Sequence, residues 1–318
     1  MTLLLKKKKI SLAVAIFSSL TLVWYMYMNK VPLISDINLM ELYNYDPVHT
    51  HNFTFLINRP LKCNGSSPFL IIFVASKPSN ILQRNAIRIT WGSSKTWWGH
   101  QVLILFLLGK DIEAGTSQSV VKQESEQFGD VIQQDFHDNY NNLTLKTKMA
   151  FRWLSEFCPN AKYMMKADDD VFVNVRNLVG FLLSTNMSEN LYSGYPFFRN
   201  VPHRGFFQKI YISYESYPYP VYPPYCSGLG YVLSANLVLK LYEIMNHIKP
   251  IRFEDAYVGL CLYLSRTSIK ILPNSHFHLY KVKFDVCKYR EVIAVHGVTP
   301  KELITFWEQL KLKNSDSC

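Results

Sequence analysis

The six cysteines of this 318-residue chain (Cys63, Cys158, Cys226, Cys261, Cys287 and Cys318) include no Cys-X-X-Cys pair, so their spacing does not point to zinc. Cysteines this widely spaced read instead as disulfides of an oxidising compartment. From Pro68 to about Leu312 there is no internal repeat, no low-complexity run and no long Pro/Gly linker. That length fits one domain with a single core. Charge is missing at the other end: Ile10 to Met28 has no charged residue, and residues 1–30 contain no acid. The net charge of +10 loses half its weight, because Lys6, Lys7, Lys8, Lys9 and Lys30 supply five of those charges. The mildly basic remainder excludes nucleic acid as a partner.

As a helix, the uncharged stretch would extend about 28 Å, close to the thickness of a bilayer core. Four lysines precede it and only Lys30 follows closely, so the positive-inside rule leaves the N-terminus cytosolic and the rest luminal. No small-residue cleavage site follows, which favours a retained anchor over a removed signal peptide. A short span also suits a thinner membrane of the secretory pathway, and a Golgi membrane protein of single-pass type II topology is expected. The sequence therefore predicts a cytoplasmic tail over 1–9, a transmembrane signal-anchor over 10–28, a luminal stem over 29–67 and a catalytic domain over 68–318. The stem reading rests on polar composition without sustained periodicity. Sequons at Asn52, Asn64, Asn142 and Asn186 agree with luminal residence, although each triplet alone is weak.

Within the domain the pattern is mixed α/β. Phe69 to Ala75 and Val102 to Leu108 are apolar runs of buried-strand length, and Val131 to Phe136 is strand-like. Helices are predicted over Asn80 to Trp91, with Arg84 and Arg88 on one face, over Ser117 to Phe128 and over Leu143 to Phe157. Such alternation points to a mostly parallel sheet flanked by helices.

The strand-like run Tyr163 to Met165 leads into Lys166-Ala167-Asp168-Asp169-Asp170, and Val171-Phe172-Val173 follows at once. Three carboxylates between apolar strands are costly unless a cation or capped backbone compensates them, and hard divalent ions favour such ligands. The bland reading is a solvated turn at a strand end. The spacing is also the one that nucleotide-sugar glycosyltransferases use to hold Mg2+ or Mn2+ on a diphosphate. Further on, six tyrosines from Tyr211 to Tyr225 crowd a Pro-rich stretch before Cys226-Ser227-Gly228-Leu229-Gly230. Aromatic faces and hydroxyls can bind a sugar while glycines admit close backbone approach, and packing in a stiff loop is the plainer role. Glu254 and Asp255 open a helix, where they either cap it or present a carboxylate base.

Arg84-Asn85-Ala86-Ile87-Arg88-Ile89-Thr90-Trp91-Gly92, Phe106-Leu107-Leu108-Gly109, Asp168-Asp169-Asp170-Val171-Phe172-Val173-Asn174, Pro223-Pro224-Tyr225-Cys226-Ser227-Gly228 and Glu254-Asp255-Ala256-Tyr257-Val258-Gly259 occur in this order. Together they resemble the β-1,3-glycosyltransferases of glycosyltransferase family 31 over roughly Pro68 to Leu310. Trp97-Trp98-Gly99, Arg204 to Lys209 and Ala294-Val295-His296-Gly297 are most similar to the branch that moves N-acetylgalactosamine from UDP-GalNAc to globotriaosylceramide.

The resemblance implies an inverting enzyme of GT-A-type fold using Mn2+ or Mg2+. Asp170 and His296 would ligate the metal, while Asp168, Asp169, Arg84 and Arg88 would contact the UDP-sugar. Asp255 would accept the proton of the acceptor's 3-hydroxyl, with Tyr225, Gly228 and Glu254 near the acceptor. Position and resemblance together pair Cys63 with Cys158 and Cys261 with Cys287, leaving Cys226 and Cys318 unassigned. Asp169 departs from the smaller central residue expected in that branch and is more like the N-acetylglucosaminyl-transferring relatives. Transfer of galactose or N-acetylglucosamine therefore stays open, as does a non-catalytic glycan-binding or chaperone homologue.

Overall fold

The computed structural model describes residues 16–26, 34–111, 115–185, 189–206, 208–266 and 271–312. The chain divides into two compact units, one of Leu39–Phe198 with Pro223–Cys318 and one of Met1–Asn38 with Arg199–Tyr222. Residues 16–26 are helical (α1), and among the described residues no helix is long and apolar enough to cross a membrane. Both ends of the expected anchor, 10–15 and 27–28, lie outside the described residues.

The larger unit is organised around β2 (Leu70–Ala75), which is buried along its whole length. A strand apolar on both faces belongs inside a parallel sheet covered by helices. It lies between β4 (His100–Lys110) and β6 (Tyr163–Asp168), and β5 (Val131–His137) continues the parallel block beyond β4. The whole sheet is mixed, which corrects the mostly parallel expectation. β1 (Phe55–Ile57) adds antiparallel to β5, and β9 (Tyr225–Ser234) and β8 (Tyr192–Phe197) add antiparallel beyond β6. No described helix separates β8 from β9, so they lack the crossover element that parallel pairing requires. β10 (Ile271–Pro273) pairs in parallel with β8, and the short β3 (Thr96–Trp97) forms a hairpin with β4.

Register fixes where chemistry can occur. Ala75, at the end of β2, is level with Leu107 and with Asp168, so the acidic turn opens at the carboxyl edge of the parallel block. Ligands bind at that edge in open α/β sheets. Because β9 runs antiparallel to β6, its first residues return to the same edge. A second sheet joins β11 (Phe277–His278), β12 (Ala294–His296) and β7 (Val171–Val173), and sets His296 opposite Val171.

Helix α2 (Ile81–Ile89) packs with α9 (Pro300–Leu312), while α4 (Leu143–Phe157) packs with α6 (Ala235–Met245) and α7 (Glu254–Leu264). Helices α3 (Gln118–Phe128), α5 (Val175–Ser184) and α8 (Val286–Glu291) complete the set. α4 is buried on nearly every side and carries Lys146 and Lys148 into the interior.

The expected stem, 29–67, is not a separate tether from Leu39 onward. Asn44 and His49 donate backbone N–H groups to His247 O and Asn246 O, and Tyr43 bridges Ile248. Buried Lys148 donates to His49 O at 2.6 Å and Met245 O at 2.9 Å, and β1 extends the sheet. A segment docked through backbone groups needs no apolar period of its own, so composition alone made it look like a linker.

Sequons and tyrosines also separate. Asn52 and Asn64 are exposed, and Asn186 lies outside the described residues. Asn142 is corrected as an open acceptor: its Nδ2 donates to His137 O at 2.8 Å, and Thr144 of the same triplet is buried. In the smaller unit Arg204 donates to the backbone oxygens of Ile212, Tyr217 and Tyr219, and buried Tyr217 packs on Tyr222 with ring centroids 4.7 Å apart. Those tyrosines pack their own loop.

Cys63 and Cys158 are disulfide-bonded, with Cα atoms 5.5 Å apart. The pairing of Cys261 with Cys287 does not form: Cys261, like Cys226, is a free thiol buried in the interior, whereas Cys287 is disulfide-bonded elsewhere. Alkylation of denatured but unreduced protein should label Cys226 and Cys261 and spare Cys63 and Cys158. A protected Cys261 would refute this arrangement.

Candidate active site

Asp168, at the end of β6, and Lys166 two residues earlier share a face of the strand. Asp168, Asp170 and His296 each bring one ligand atom to within 4.8 Å of the others. His296 Nε2 lies 3.4 Å from Asp170 Oδ2, and its Nδ1–H donates to Leu279 O at 3.2 Å. A carbonyl can only accept, so the proton sits on Nδ1 and Nε2 faces the carboxylates. The Asp170 hydrogen bond raises the His296 imidazole above its ordinary value, against burial. Burial pushes Asp170 upward, but the hydrogen bond and charge of His296 outweigh it and hold the carboxyl below its usual range. Burial, then the charges of Glu254 and Asp170, push Asp168 up to about 6 despite Lys166. Two carboxylates and an oriented imidazole are a donor set that fits a divalent cation.

Asp169 turns away from this group. Its Oδ2 accepts from Ser76 Oγ at 2.6 Å and from Asn80 Nδ2 at 2.9 Å, and burial raises its carboxyl. Behind Ser76 stands Arg84, fully buried, whose five N–H groups go to Glu124 twice, Ser76 Oγ, Lys77 O and Pro78 O. No donor remains for a ligand. Arg88 forms a bidentate pair with Asp130 and a further contact with Glu124. The expectation that Arg84 and Arg88 touch the UDP-sugar is corrected: Arg84 acts through Ser76 on Asp169, and Arg88 braces α2 against α3 and the turn that leads into β5.

Asp255 is the second residue of α7. Its Oδ2 accepts from Gly228 N at 3.0 Å and its Oδ1 from Ala256 N at 2.8 Å. Burial, then the negative charge of Glu254, push it up to about 7 against those two N–H groups. Glu254 differs completely. It is 4% exposed, pairs with Lys166 Nζ at 2.8 Å, and accepts from Thr147 Oγ1 at 2.9 Å and Tyr231 Oη at 2.8 Å. It has no face left for an acceptor, and Tyr225, buried against Phe197, has none either. Only Gly228 of the three expected acceptor residues reaches the site, through its N–H to Asp255.

Sequence reasoning passed over Lys166 and Lys146. Lys166 follows the apolar run Tyr163 to Met165, which was the available signal, whereas Lys146 stands beside Thr147 and Lys148 and carried none. Lys146 Nζ binds both oxygens of Asp138, at 2.8 and 3.0 Å, and Ser76 O, tying the ends of β2 and β5 beneath Asp169.

Fold and site together are those of a glycosyltransferase. More specifically, the chain belongs to the galactosyltransferase family, whose model, described as Galactosyltransferase, matches residues 82–273. It is 49% identical to UDP-GalNAc:beta-1,3-N-acetylgalactosaminyltransferase 1 of Rattus norvegicus and to that of Homo sapiens, over 98% of this chain and 95% of each relative. It is 41% identical to Beta-1,3-galactosyltransferase 1 of Mus musculus, over 86% of this chain and 83% of that one.

A carboxyl raised from 3.8 to about 7 on folding makes its ionised form costly. The cost grows as pH climbs from the unfolded to the folded value, so stability contributed by this group falls over that window. Asp255→Asn should therefore raise the melting temperature by a larger margin at pH 8 than at pH 5. An equal margin at both would show that Asp255 titrates at its ordinary value.

Proposed function

We propose that the protein transfers N-acetylgalactosamine from UDP-GalNAc to the 3-hydroxyl of a terminal galactose, with inversion and on a GT-A-type fold. Globotriaosylceramide is the proposed acceptor, and a type II Golgi membrane protein with a luminal catalytic domain is the proposed setting. The observation that carries the reading is Asp255, a carboxylate held near neutrality and linked through Gly228 and Lys166 to the acidic group. The name shared by the 49% identical relatives supports the donor and the linkage.

An acceptor hydroxyl is a poor nucleophile at neutral pH. Ionised Asp255 takes its proton while the oxygen attacks the anomeric carbon from the face opposite UDP, and the bond to UDP breaks as the new one forms. One displacement inverts the carbon, which converts an α-linked donor into a β-linked product. Asp168, Asp170 and His296 would hold Mn2+ or Mg2+, which when bound supplies positive charge against the diphosphate. Asp169, braced by Ser76 and Asn80, remains the proposed sugar or ribose contact.

A panel of UDP-GalNAc, UDP-Gal and UDP-GlcNAc against globotriaosylceramide, with product linkage determined, tests donor and acceptor together. UDP-GalNAc should be preferred, and excess chelator should abolish the product. Preference for UDP-Gal or UDP-GlcNAc would sink the donor assignment and favour the alternatives that Asp169 left open.

Asp255→Asn should lower kcat by about 10²- to 10⁴-fold, the range for losing a general base, while UDP-sugar affinity stays nearly unchanged. Wild-type kcat/KM should rise with pH through about 7, as the carboxyl ionises. A variant keeping more than about a tenth of wild-type turnover would remove Asp255 from that role.

A further inference from the structure

Lys166 is 2% exposed, so no substrate group reaches it. Its Nζ donates to Asp168 Oδ1 at 2.7 Å and to Gly228 O at 2.6 Å, and lies 2.8 Å from Glu254 Oε1. Those partners stand on β6, β9 and α7. Gly228 is gripped from its other side as well, since its N–H donates to Asp255 Oδ2 at 3.0 Å. A methyl at Gly228 would sit 2.6 Å from Glu254 Oε1, 3.5 Å from Asp255 Oδ2 and 3.6 Å from Lys166 Nζ. Close approach, not backbone conformation, is what demands glycine here.

We propose that Lys166 and Gly228 are positioning residues for the transfer step, setting the spacing between donor-side Asp168 and the helix start that presents Asp255. The inference rests on the reading of Asp255 as the base. Asp168 and the proposed base stand on different elements, β6 and α7, that meet at this ammonium. Transfer requires the acceptor oxygen to reach both at once, and a misplacement of about 1 Å can cost about 10²-fold. A cation that served only to neutralise Glu254 could be exchanged for another cation without loss of turnover. One that fixes distances could not.

Two substitutions separate the roles. Lys166→Arg keeps the charge, but its planar fork cannot reproduce the contacts of a compact ammonium. Gly228→Ala leaves every charge in place and pushes Glu254 away from Lys166. Each should lower kcat by about 10²-fold, with KM for the donor and calorimetric UDP affinity within about threefold of wild type. In single-turnover reactions with enzyme in excess, neither should cost more than about a further threefold in the Asp255→Asn background, because residues acting as one unit are not additive.

The proposal is overturned if Lys166→Arg and Gly228→Ala both keep more than about a third of wild-type kcat, or lose activity only in proportion to folded protein measured by circular dichroism. It is also overturned if their losses multiply with that of Asp255→Asn. If Lys166→Arg does not fold, Gly228→Ala alone decides by the same criteria. A fully active Asp255→Asn would sink the base assignment and this inference with it. An inert Asp255→Asn beside an active Lys166→Arg and an active Gly228→Ala would sink the inference alone.

Discussion

Five carboxylates crowd the carboxyl edge of the parallel block: Asp168, Asp169, Asp170, Glu254 and Asp255. Like charges this close in a partly dry setting repel by several kcal/mol unless compensated, so the edge exists only because each has an assigned partner. Lys166 serves Asp168 and Glu254, His296 serves Asp170, Ser76 and Asn80 serve Asp169, and two backbone N–H groups serve Asp255. The compensation is deliberately incomplete in chemical terms. Asp168 and Asp255 are left with raised carboxyls, one in the proposed cation site and the other the proposed proton acceptor.

These partners come from elements far apart in sequence, and strand register is what gathers them. Parallel pairing levels Ala75 with Asp168, which puts Ser76 beside Asp169. Antiparallel pairing of β9 with β6 returns Gly228 to Lys166, and pairing of β12 with β7 places His296 against the turn. A one-residue slip in any of these pairs would turn its side chains to the opposite face. Such slips are blocked because the strands concerned are buried on both faces or wedged by aromatic residues, as Trp91 does by donating to Val171 O at 3.2 Å.

How far the sequence could be read depends on whether a feature is local. The run at β2, the bounds of α4 and the acidic turn after β6 were all legible, because apolar length, helical period and charge clustering are properties of neighbours. Arg84 and Arg88 show the opposite case. Their spacing on one helical face invited a phosphate, but the acids that neutralise them lie 40 and 42 residues further on. The segment from Leu39 to β1 carried no period because it binds through backbone groups, and buried Cys261 could not be told from a disulfide partner by position. Lys166 was visible as a charge in an apolar strand, yet its partners, apart from Asp168, required the fold.

Glu254 and Asp255 show why sequence alone could not separate the proposed base from its neighbour. They are adjacent, similar in chemistry and both at the start of one helix, so propensity and capping rules treat them alike. Successive helix residues project about a quarter-turn apart, and that rotation decides everything here. Glu254 turns inward to Lys166, Thr147 and Tyr231, where a cation and two hydroxyl donors surround its carboxylate and give it a structural part. Asp255 turns to the edge, where two backbone N–H groups hold it and where it feels the negative charge of Glu254 more than the positive charge of Lys166. The fixed glutamate thus raises the basicity of the aspartate beside it. Burial first, and that neighbouring charge second, turn an ordinary carboxyl into one raised to about 7, which is the property the proposed base requires.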